Sequence, residues 1–219
     1  MPGCCDPRRY EDVFGDGFAR KVAKKYRRKG LGRTERRMLS FLEQQGIEGA
    51  TVLEIGGGLG EMQVELLRRG AAHATNLELA RTYESQAGQL LEEHGLTGKV
   101  TRRLGIDIAQ DGEQVEPADI VVLHRVVCCY PDYERLLAAA GGHANRLLVF
   151  SHPPRNAASR AFIAAGNLLL RLSGRDFRAF IHPPRAMADT VARAGLAPAY
   201  HHRGLVWQVA GFTRALGAG

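Results

Sequence analysis

Alternating glycines beside acidic residues form the part of this sequence best suited to bind a ligand. Gly56, Gly58 and Gly60 directly follow the apolar run Thr51–Ile55, which has Glu54 near its end. Glycine permits positive φ and close approach of a ligand to the backbone, and N–H groups at the start of the next helix can face that ligand. The spacing G-x-G-x-G differs from the G-x-G-x-x-G of dinucleotide-binding loops. We therefore predict a strand, a glycine turn and a helix that together form a binding loop.

A second acidic position lies at the end of the next apolar segment. Glu78 comes eighteen residues after Gly60. A carboxylate accepts two hydroxyl donors well, which suits a ribose and opposes a 2′-phosphate. The glycine turn and Glu78 stand at corresponding places at the ends of two consecutive predicted strands. Together they favour a cofactor-binding site over an incidental turn.

This pattern, Glu54-x-Gly56-x-Gly58-x-Gly60 followed by Glu78, resembles the first motif of the class I S-adenosylmethionine (SAM)-dependent methyltransferases. In that family the glycine turn lies against the amino-acid part of the cofactor, and the acidic residue ending the next strand holds the ribose hydroxyls. The resemblance therefore implies that all five of these residues contribute to a SAM site.

The resemblance extends to two later strands. Asp107 lies at the end of a strand predicted at residues 100–108 and resembles the family position whose acid bonds the adenine amino group, with Ile108 among its apolar neighbours. His124 and Arg125 lie at the carboxyl end of the strand that opens with Asp119, where open α/β sheets bind ligands. The resemblance implies that this second strand ends over the cofactor and the transfer site.

The chemistry that the resemblance implies is displacement at a methyl group already activated by a positive sulfonium. The protein then has to align a nucleophile and remove its proton if it has one. Candidate bases are His124, His152 and Tyr130, and Arg125 or Arg155 is a candidate to hold a substrate carboxylate. We predict methyl transfer to a small-molecule acceptor, at oxygen.

The amino-terminal segment is basic and is predicted to form two helices. Residues 8–37 contain twelve Lys/Arg and four acidic residues, a net charge of +8, so the rest of the chain sums to −1 of the total +7. In related methyltransferases such leading helices close over the cofactor, which would bring Tyr26 and Arg33 to the methionine carboxylate. A solvated helix face is the simpler explanation for the charge, and an RNA methyltransferase or binder using residues 8–37 is an alternative function.

The predicted fold is α/β: a doubly wound, seven-stranded, mostly parallel sheet with a closing antiparallel hairpin, leading helices and a helical insertion after the fifth strand. We place a basic helical cap at 1–48 and a SAM-binding domain at 49–219, with the insertion at about 156–181. The insertion contains an unusually apolar helix, Ala157–Leu172, which makes the chain loosely similar to the tetrapyrrole O-methyltransferase group. It is a candidate substrate lid, and a packing helix or homodimer face is equally consistent.

Composition excludes several classes of protein. The 219 residues are 45% hydrophobic and 24% charged, typical of a globular domain. No apolar run approaches the roughly 20 residues of a membrane span, and the first residues lack a secretory signal, so a cytoplasmic location is expected. The pairs Cys4-Cys5 and Cys128-Cys129 have no C-x-x-C spacing, so no metal site is predicted.

Two alternatives to small-molecule methylation remain beside the RNA hypothesis. The cysteine pairs offer soft ligands for thiolate-assisted methylation of a metalloid. A protein that binds the cofactor without transferring its methyl group is also compatible with the sequence.

Overall fold

The computed structural model describes residue 10 and residues 13–214. Among these residues the strands are β1 (Thr51–Ile55), β2 (His73–Glu78), β3 (Val100–Leu104), β4 (Ala118–Leu123), β5 (Ala144–His152), β6 (Leu196–His202) and β7 (Gln208–Arg214). The α-helices are α1 (Asp16–Lys29), α2 (Arg33–Gln45), α3 (Glu61–Leu67), α4 (Glu84–Glu93), α5 (Ile108–Asp111), α6 (Tyr133–Gly142), α7 (Ala157–Leu172) and α8 (Pro184–Arg193).

The strands of the described residues form one sheet with the order β3-β2-β1-β4-β5-β7-β6. Strands β1 to β5 are parallel to one another, β7 pairs antiparallel to β5, and β6 pairs antiparallel to β7. The predicted fold class is confirmed. Because β1, β2 and β4 are neighbours and parallel, the residues that follow them meet at one edge of the sheet.

Helices cover both faces of the sheet, which explains why the central strands are apolar throughout. Side chains alternate between faces along a strand, so Val52 of β1 packs in the cluster that includes Leu42 of α2 and Leu66 of α3. Leu53 packs in the opposite cluster with Leu136 of α6. A strand buried on both faces has a continuous run of apolar residues in its sequence. This pattern predicted β1 correctly.

The two leading helices pack onto the rest of the molecule. Helix α2 contacts β5 and β7, and α1 contacts α4. Met38 and Leu42 of α2 are fully buried. The domain boundary at residue 48 stays a prediction.

Three predicted element boundaries are wrong. Strand β3 ends at Leu104 and not at residue 108, because Gly105 turns the chain with φ +74° and Asp107 caps the short helix α5. The sequence predicts Thr34 as the N-cap of the second helix, but α2 begins at Arg33 and its N-cap is Gly32. The sequence predicts the last strand at residues 205–213, but β7 begins at Gln208.

Helix α7 forms the predicted insertion between β5 and α8. The Asn156 side chain accepts a hydrogen bond from the Ser159 N–H (2.8 Å) and so caps the helix at its predicted start. None of the helices in the described part of the chain has the length and apolarity needed to cross a membrane.

Candidate active site

A cavity of about 250 Å³ opens at the edge of the sheet where β1, β2 and β4 end. Its wall contains most of the residues that the sequence singled out. These are Tyr26, Gly56, Gly58, Glu78, Asp107, Ile108, His124, Arg125 and Tyr130. Residues from four consecutive strand ends therefore meet at one cavity, together with the end of α1.

The glycine loop is shaped by backbone conformation and by close packing beneath it. Gly58 has φ +55°, a conformation that L side chains rarely adopt. Gly57 lies so close to the residues below that an added Cβ would be 2.2 Å from Nδ2 of Asn76. The loop is held from the side as well, because Arg102 of β3 donates to the Gly58 carbonyl (2.9 Å).

Glu78 ties the end of β2 to this loop. Its Oε2 accepts from the Gly58 N–H at 2.7 Å, and its Oε1 accepts from the N–H groups of Leu79 (2.8 Å) and Ala80 (2.9 Å). The carboxyl is 7% exposed, and burial raises its pKa despite these three donors. Glu78 thus both lines the cavity and fixes the position of the glycine loop.

Asp107 is held in a similar way at the end of the cavity beside α5. Its carboxylate accepts from the Ala109 N–H (3.0 Å), from Nε2 of Gln110 (2.7 Å) and from the hydroxyl of Tyr130 (2.8 Å). Burial and the bond to Asp107 raise the pKa of Tyr130 above its ordinary value. Tyr130 is therefore a hydrogen-bond donor to Asp107, with its proton retained.

At the opposite end of the cavity, His124 lies between Ser151 and Glu35. Ser151 Oγ accepts from the Arg125 N–H (2.9 Å), so its own proton can point to Nδ1 of His124 at 3.0 Å. With the Ser151 hydroxyl as donor, the imidazole proton lies on Nε2, which is 3.2 Å from Oε1 of Glu35. Helix α2 is thereby connected to the end of β4.

The ionisation of this pair follows from its surroundings. Burial opposes the charge on Glu35, but His124 and Arg125 beside it lower the pKa of its carboxyl to about 2. Burial lowers the pKa of the His124 imidazole. At neutral pH the arrangement therefore consists of a Glu35 carboxylate and a neutral histidine.

Arg125 has a backbone conformation that is uncommon for a residue with a side chain. Its φ is +61°, and strained residues of this kind cluster at functional sites. The guanidinium lies 5.2 Å from the centre of the Trp207 ring and 3.7 Å from Oε1 of Glu35. The side chain is thus directed to the cavity wall near His124.

Five of the predicted site residues lie outside the cavity wall of the described structure. Glu54 and Gly60 belong to the support of the glycine loop, where Oε2 of Glu54 accepts from the Gln63 N–H (3.2 Å). Arg33 is exposed at the start of α2, and Arg155 is exposed after β5. His152 is 3% exposed and its Nδ1 lies 3.0 Å from the Pro153 carbonyl oxygen.

The amino-terminal segment covers one side of the cavity. Tyr10 donates its hydroxyl to the Cys129 carbonyl (3.0 Å), and Thr82 donates to the carbonyl of Phe14. Tyr26 donates its hydroxyl to Oε1 of Glu65 on α3 at 2.7 Å. The segment before α1 is therefore bonded to the turn before α4 and to Cys129, and α1 is bonded to α3.

Cys128 and Cys129 place their sulfur atoms 3.7 Å apart. Cys129 lines the cavity. The second pair, Cys4-Cys5, lies outside the described residues, as do residues 8, 9, 11 and 12 of the basic 8–37 segment. Within the described part of the chain, no group of three or more His, Cys, Asp or Glu side chains could hold a metal ion.

Sequence reasoning missed several residues of the cavity wall, among them Lys25, Glu35, Glu61 and Tyr83. Glu35 carries no local signal, because an acidic residue in the first turn of a helix is common. Its distance to His124 depends on how α2 packs against the sheet. Tyr83 follows β2 by five residues, and its ring lies against Gly58, so its place after Glu78 was a usable signal.

Solved structures with the same architecture are numerous. Magnesium protoporphyrin IX methyltransferase (ChlM) from Synechocystis PCC 6803 with bound SAH is 19% identical, with a TM-score of 0.69 over 94% of this chain and 93% of that one. The same enzyme with bound SAM gives a TM-score of 0.65. This chain has the class I SAM-dependent methyltransferase fold.

Two further neighbours carry the same fold in longer chains. An O-methyltransferase family protein from Burkholderia thailandensis is 19% identical, with a TM-score of 0.68 over 91% of this chain and 60% of that one. An O-methyltransferase family 2 protein from Planctomyces limnophilus, in complex with apigenin, is 18% identical, with a TM-score of 0.67 over 91% and 62%. No protein-family model and no curated protein sequence matches the chain.

Proposed function

We propose that this protein is a SAM-dependent methyltransferase that methylates an oxygen of a small molecule. One observation carries the proposal. The glycine loop, Glu78 and Asp107 line a single cavity in chain order at successive strand ends, and the same cavity continues to His124 and Arg125. This is the arrangement that the sequence motif implies for SAM, with space for an acceptor at the β4 end.

The charges of the cavity wall fit a cofactor with a positive sulfonium and an ammonium group. Four carboxyl side chains line the described cavity, and its cations are Lys25 and Arg125; the carboxyl residues are Glu35, Glu61, Glu78 and Asp107. Oε2 of Glu35 is buried and has no hydrogen-bond partner within the described residues. A buried, unpaired carboxylate oxygen is costly, and a cationic ligand in the cavity would relieve that cost.

The proposed roles follow from position along the cavity. Asp107 and Ile108 would hold the adenine, Glu78 the ribose, and the loop at Gly56 and Gly58 the amino-acid part. Lys25 and Arg125 are the candidates for the methionine carboxylate. When bound, SAM supplies a methyl group that its sulfonium has already activated.

Oxygen as the acceptor is supported by the surroundings of the candidate bases at the β4 end of the described cavity. Both ring nitrogens of His124 have neighbours, Ser151 and Glu35, and Tyr130 donates to Asp107. A phenolate or carboxylate arrives without a proton, so alignment alone would suffice. We therefore propose that His124 orients the acceptor and that Arg125 attracts its negative oxygen.

The test of this proposal is the steady-state rate of SAH formation with a panel of phenols and carboxylic acids, for the wild type and His124→Asn. Orientation by His124 predicts a fall in kcat of about tenfold or less, whereas loss of a general base costs about 100- to 10,000-fold. Methylation of amines alone would contradict the proposal. Activity of C128S/C129S equal to wild type would contradict the metalloid alternative.

A nucleic-acid substrate is the second candidate, because exposed cations lie along α1. They include Arg20, Lys21, Lys24, Arg28 and Lys29. RNA binding through this helix would weaken steeply with salt, so salt-independent or absent RNA affinity would exclude it.

A further inference from the structure

Helix α7 directs its apolar side away from the protein. Phe162, Leu169 and Leu172 are 81%, 65% and 75% exposed. The residues that face inward are different: Leu170 packs against the core, and Asn167 exchanges hydrogen bonds with the backbone after the helix. None of the sixteen α7 residues, all of which the structure describes, is fully buried.

The exposed apolar residues form one continuous stripe. Ala158, Phe162, Ala165, Leu169 and Leu172 recur at intervals of four and three residues, which places them on one side of the helix. A surface helix ordinarily turns such a stripe to the core. An apolar stripe turned outward marks a surface that binds a partner.

The charges beside the stripe decide which kind of partner fits. Helix α7 contains Arg160 and Arg171 and no acidic residue, and both arginines are exposed. Two copies paired through the stripe would place arginines next to arginines in either orientation, which disfavours self-association. A surface with an anionic outer layer over an apolar interior would instead bury the apolar stripe and attract the two arginines.

We propose that the outward face of α7 binds the surface of a lipid bilayer that contains anionic lipids. An amphipathic helix with basic residues beside its apolar face lies in the plane of the membrane interface and inserts that face at the headgroup boundary. The sixteen residues of α7 make a helix of about 24 Å. Helix α7 supports binding in the plane of the membrane interface.

The position of α7 places a docked bilayer close to the cavity. The helix follows the end of β5, on the cavity edge of the sheet, and Phe177 beyond it packs edge-on against Tyr10 and Phe14. Tyr10 and Phe14 line the cavity, as does Phe18, which is 43% exposed. A bilayer on α7 therefore lies beside an aromatic wall of the cavity, from which an amphiphilic molecule could enter. Membrane binding is separate from methyl transfer, and it does not depend on the proposed methyltransferase function.

The test is sedimentation of the full-length protein with vesicles of phosphatidylcholine alone, or with about a third of the lipid replaced by phosphatidylserine. We expect binding to the anionic vesicles, weakened by added salt, and much weaker binding to the neutral ones. L169S/L172S should reduce the affinity at least about tenfold, because each buried leucine contributes strongly to insertion. R160Q/R171Q should reduce the preference for anionic vesicles.

The matched control is L205S/V206S, which removes two exposed apolar side chains of the β6–β7 turn and should bind like the wild type. Circular dichroism melting of each variant shows that the fold is retained. Failure of the wild type to bind either vesicle, or equal binding by L169S/L172S, would overturn the proposal. A dimer detected by sedimentation velocity and abolished by L169S/L172S would also overturn it, since a second copy would then occupy the face.

Discussion

At the scale of single residues, Glu78 performs two tasks with one carboxylate. Its two oxygens accept three backbone N–H groups, one of them from Gly58 in the glycine loop. In Glu78→Gln one oxygen becomes an NH₂ group, which cannot accept any of these bonds. We expect SAM affinity, measured by calorimetry, to fall about 10- to 100-fold, equivalent to about 1.4–2.8 kcal/mol.

The control for this prediction is Glu116→Gln, an exposed position outside the cavity wall of the described structure. It should bind SAM like the wild type. Equal affinity for Glu78→Gln and the wild type would mean that Glu78 neither holds the cofactor nor fixes the loop that does.

Glu54, directly beneath the glycine loop, is predicted to be protonated at neutral pH. Burial is the main cause that raises the pKa of its carboxyl to about 8, with a smaller contribution from Glu61. Since the folded-state pKa lies above the unfolded-state value near 4.5, the unfolded state releases this proton first as the pH rises. Stability should therefore decrease between about pH 4.5 and 8.

Glu54→Gln tests this sign, because glutamine is neutral throughout and its carbonyl can still accept from the Gln63 N–H. By urea unfolding we expect the variant to match the wild type near pH 4.5 and to exceed it by on the order of 5 kcal/mol at pH 9. Glu113→Gln, at an exposed position, should show no such divergence. A variant less stable than the wild type at pH 9 would show that the ionised carboxylate is required.

At the scale of elements, α1 is attached to the molecule beside the cavity by specific side chains. The Tyr26 hydroxyl donates to Glu65 of α3, and Arg27 forms an ion pair with Glu93 of α4 at 2.7 Å. Tyr26→Phe removes the hydroxyl and therefore the hydrogen bond to Glu65. We expect a loss of about 1–2 kcal/mol in unfolding free energy, with SAM affinity changed less than about threefold.

Tyr200→Phe, on the edge strand β6, is the matched control and should affect neither property. A tenfold loss of SAM affinity in Tyr26→Phe with unchanged stability would assign the hydroxyl to the cofactor, as the resemblance implied, and would contradict the anchoring role.

The elements that sequence alone located correctly are those with strong local signals. Strand β1 is bounded by Gly56, and the bounds of α7 follow from its helical spacing and the turn residues on either side. The end of β3 was misplaced because Leu104 and Ile106 look alike in sequence, while Gly105 between them turns the chain. Local propensity does not reveal such a turn when apolar residues stand on both sides of it.

Residues of the site were predictable only where they lie at the end of a strand or directly after it. Glu78 is the last residue of β2 and Asp107 follows β3, so topology brings them to the cavity. Glu35 reaches His124 only through the packing of α2. His152 ends a central strand but is buried, with its Nδ1 3.0 Å from the Pro153 carbonyl oxygen. Such contacts depend on tertiary packing, which spacing in one sequence does not encode.

At the scale of the whole molecule, the basic charge is concentrated in one segment, and three of the four carboxyl residues of the cavity lie outside it, namely Glu61, Glu78 and Asp107. The net charge of +8 lies in residues 8–37, whereas the cavity wall carries four carboxyl groups and two cations among the described residues. Total charge therefore does not indicate the substrate. The cavity favours a cationic cofactor and a small acceptor, and α7 offers a separate surface for an anionic bilayer.

The most direct test of the central claim is transfer of a labelled methyl group from SAM into a fractionated cell extract, by the wild type and by Glu78→Gln. We predict label in the small-molecule fraction with the wild type, strongly reduced with the variant. Label in RNA or protein would contradict a small-molecule acceptor. Bound SAM with no label in any fraction would contradict methyl transfer to a molecule present in that extract.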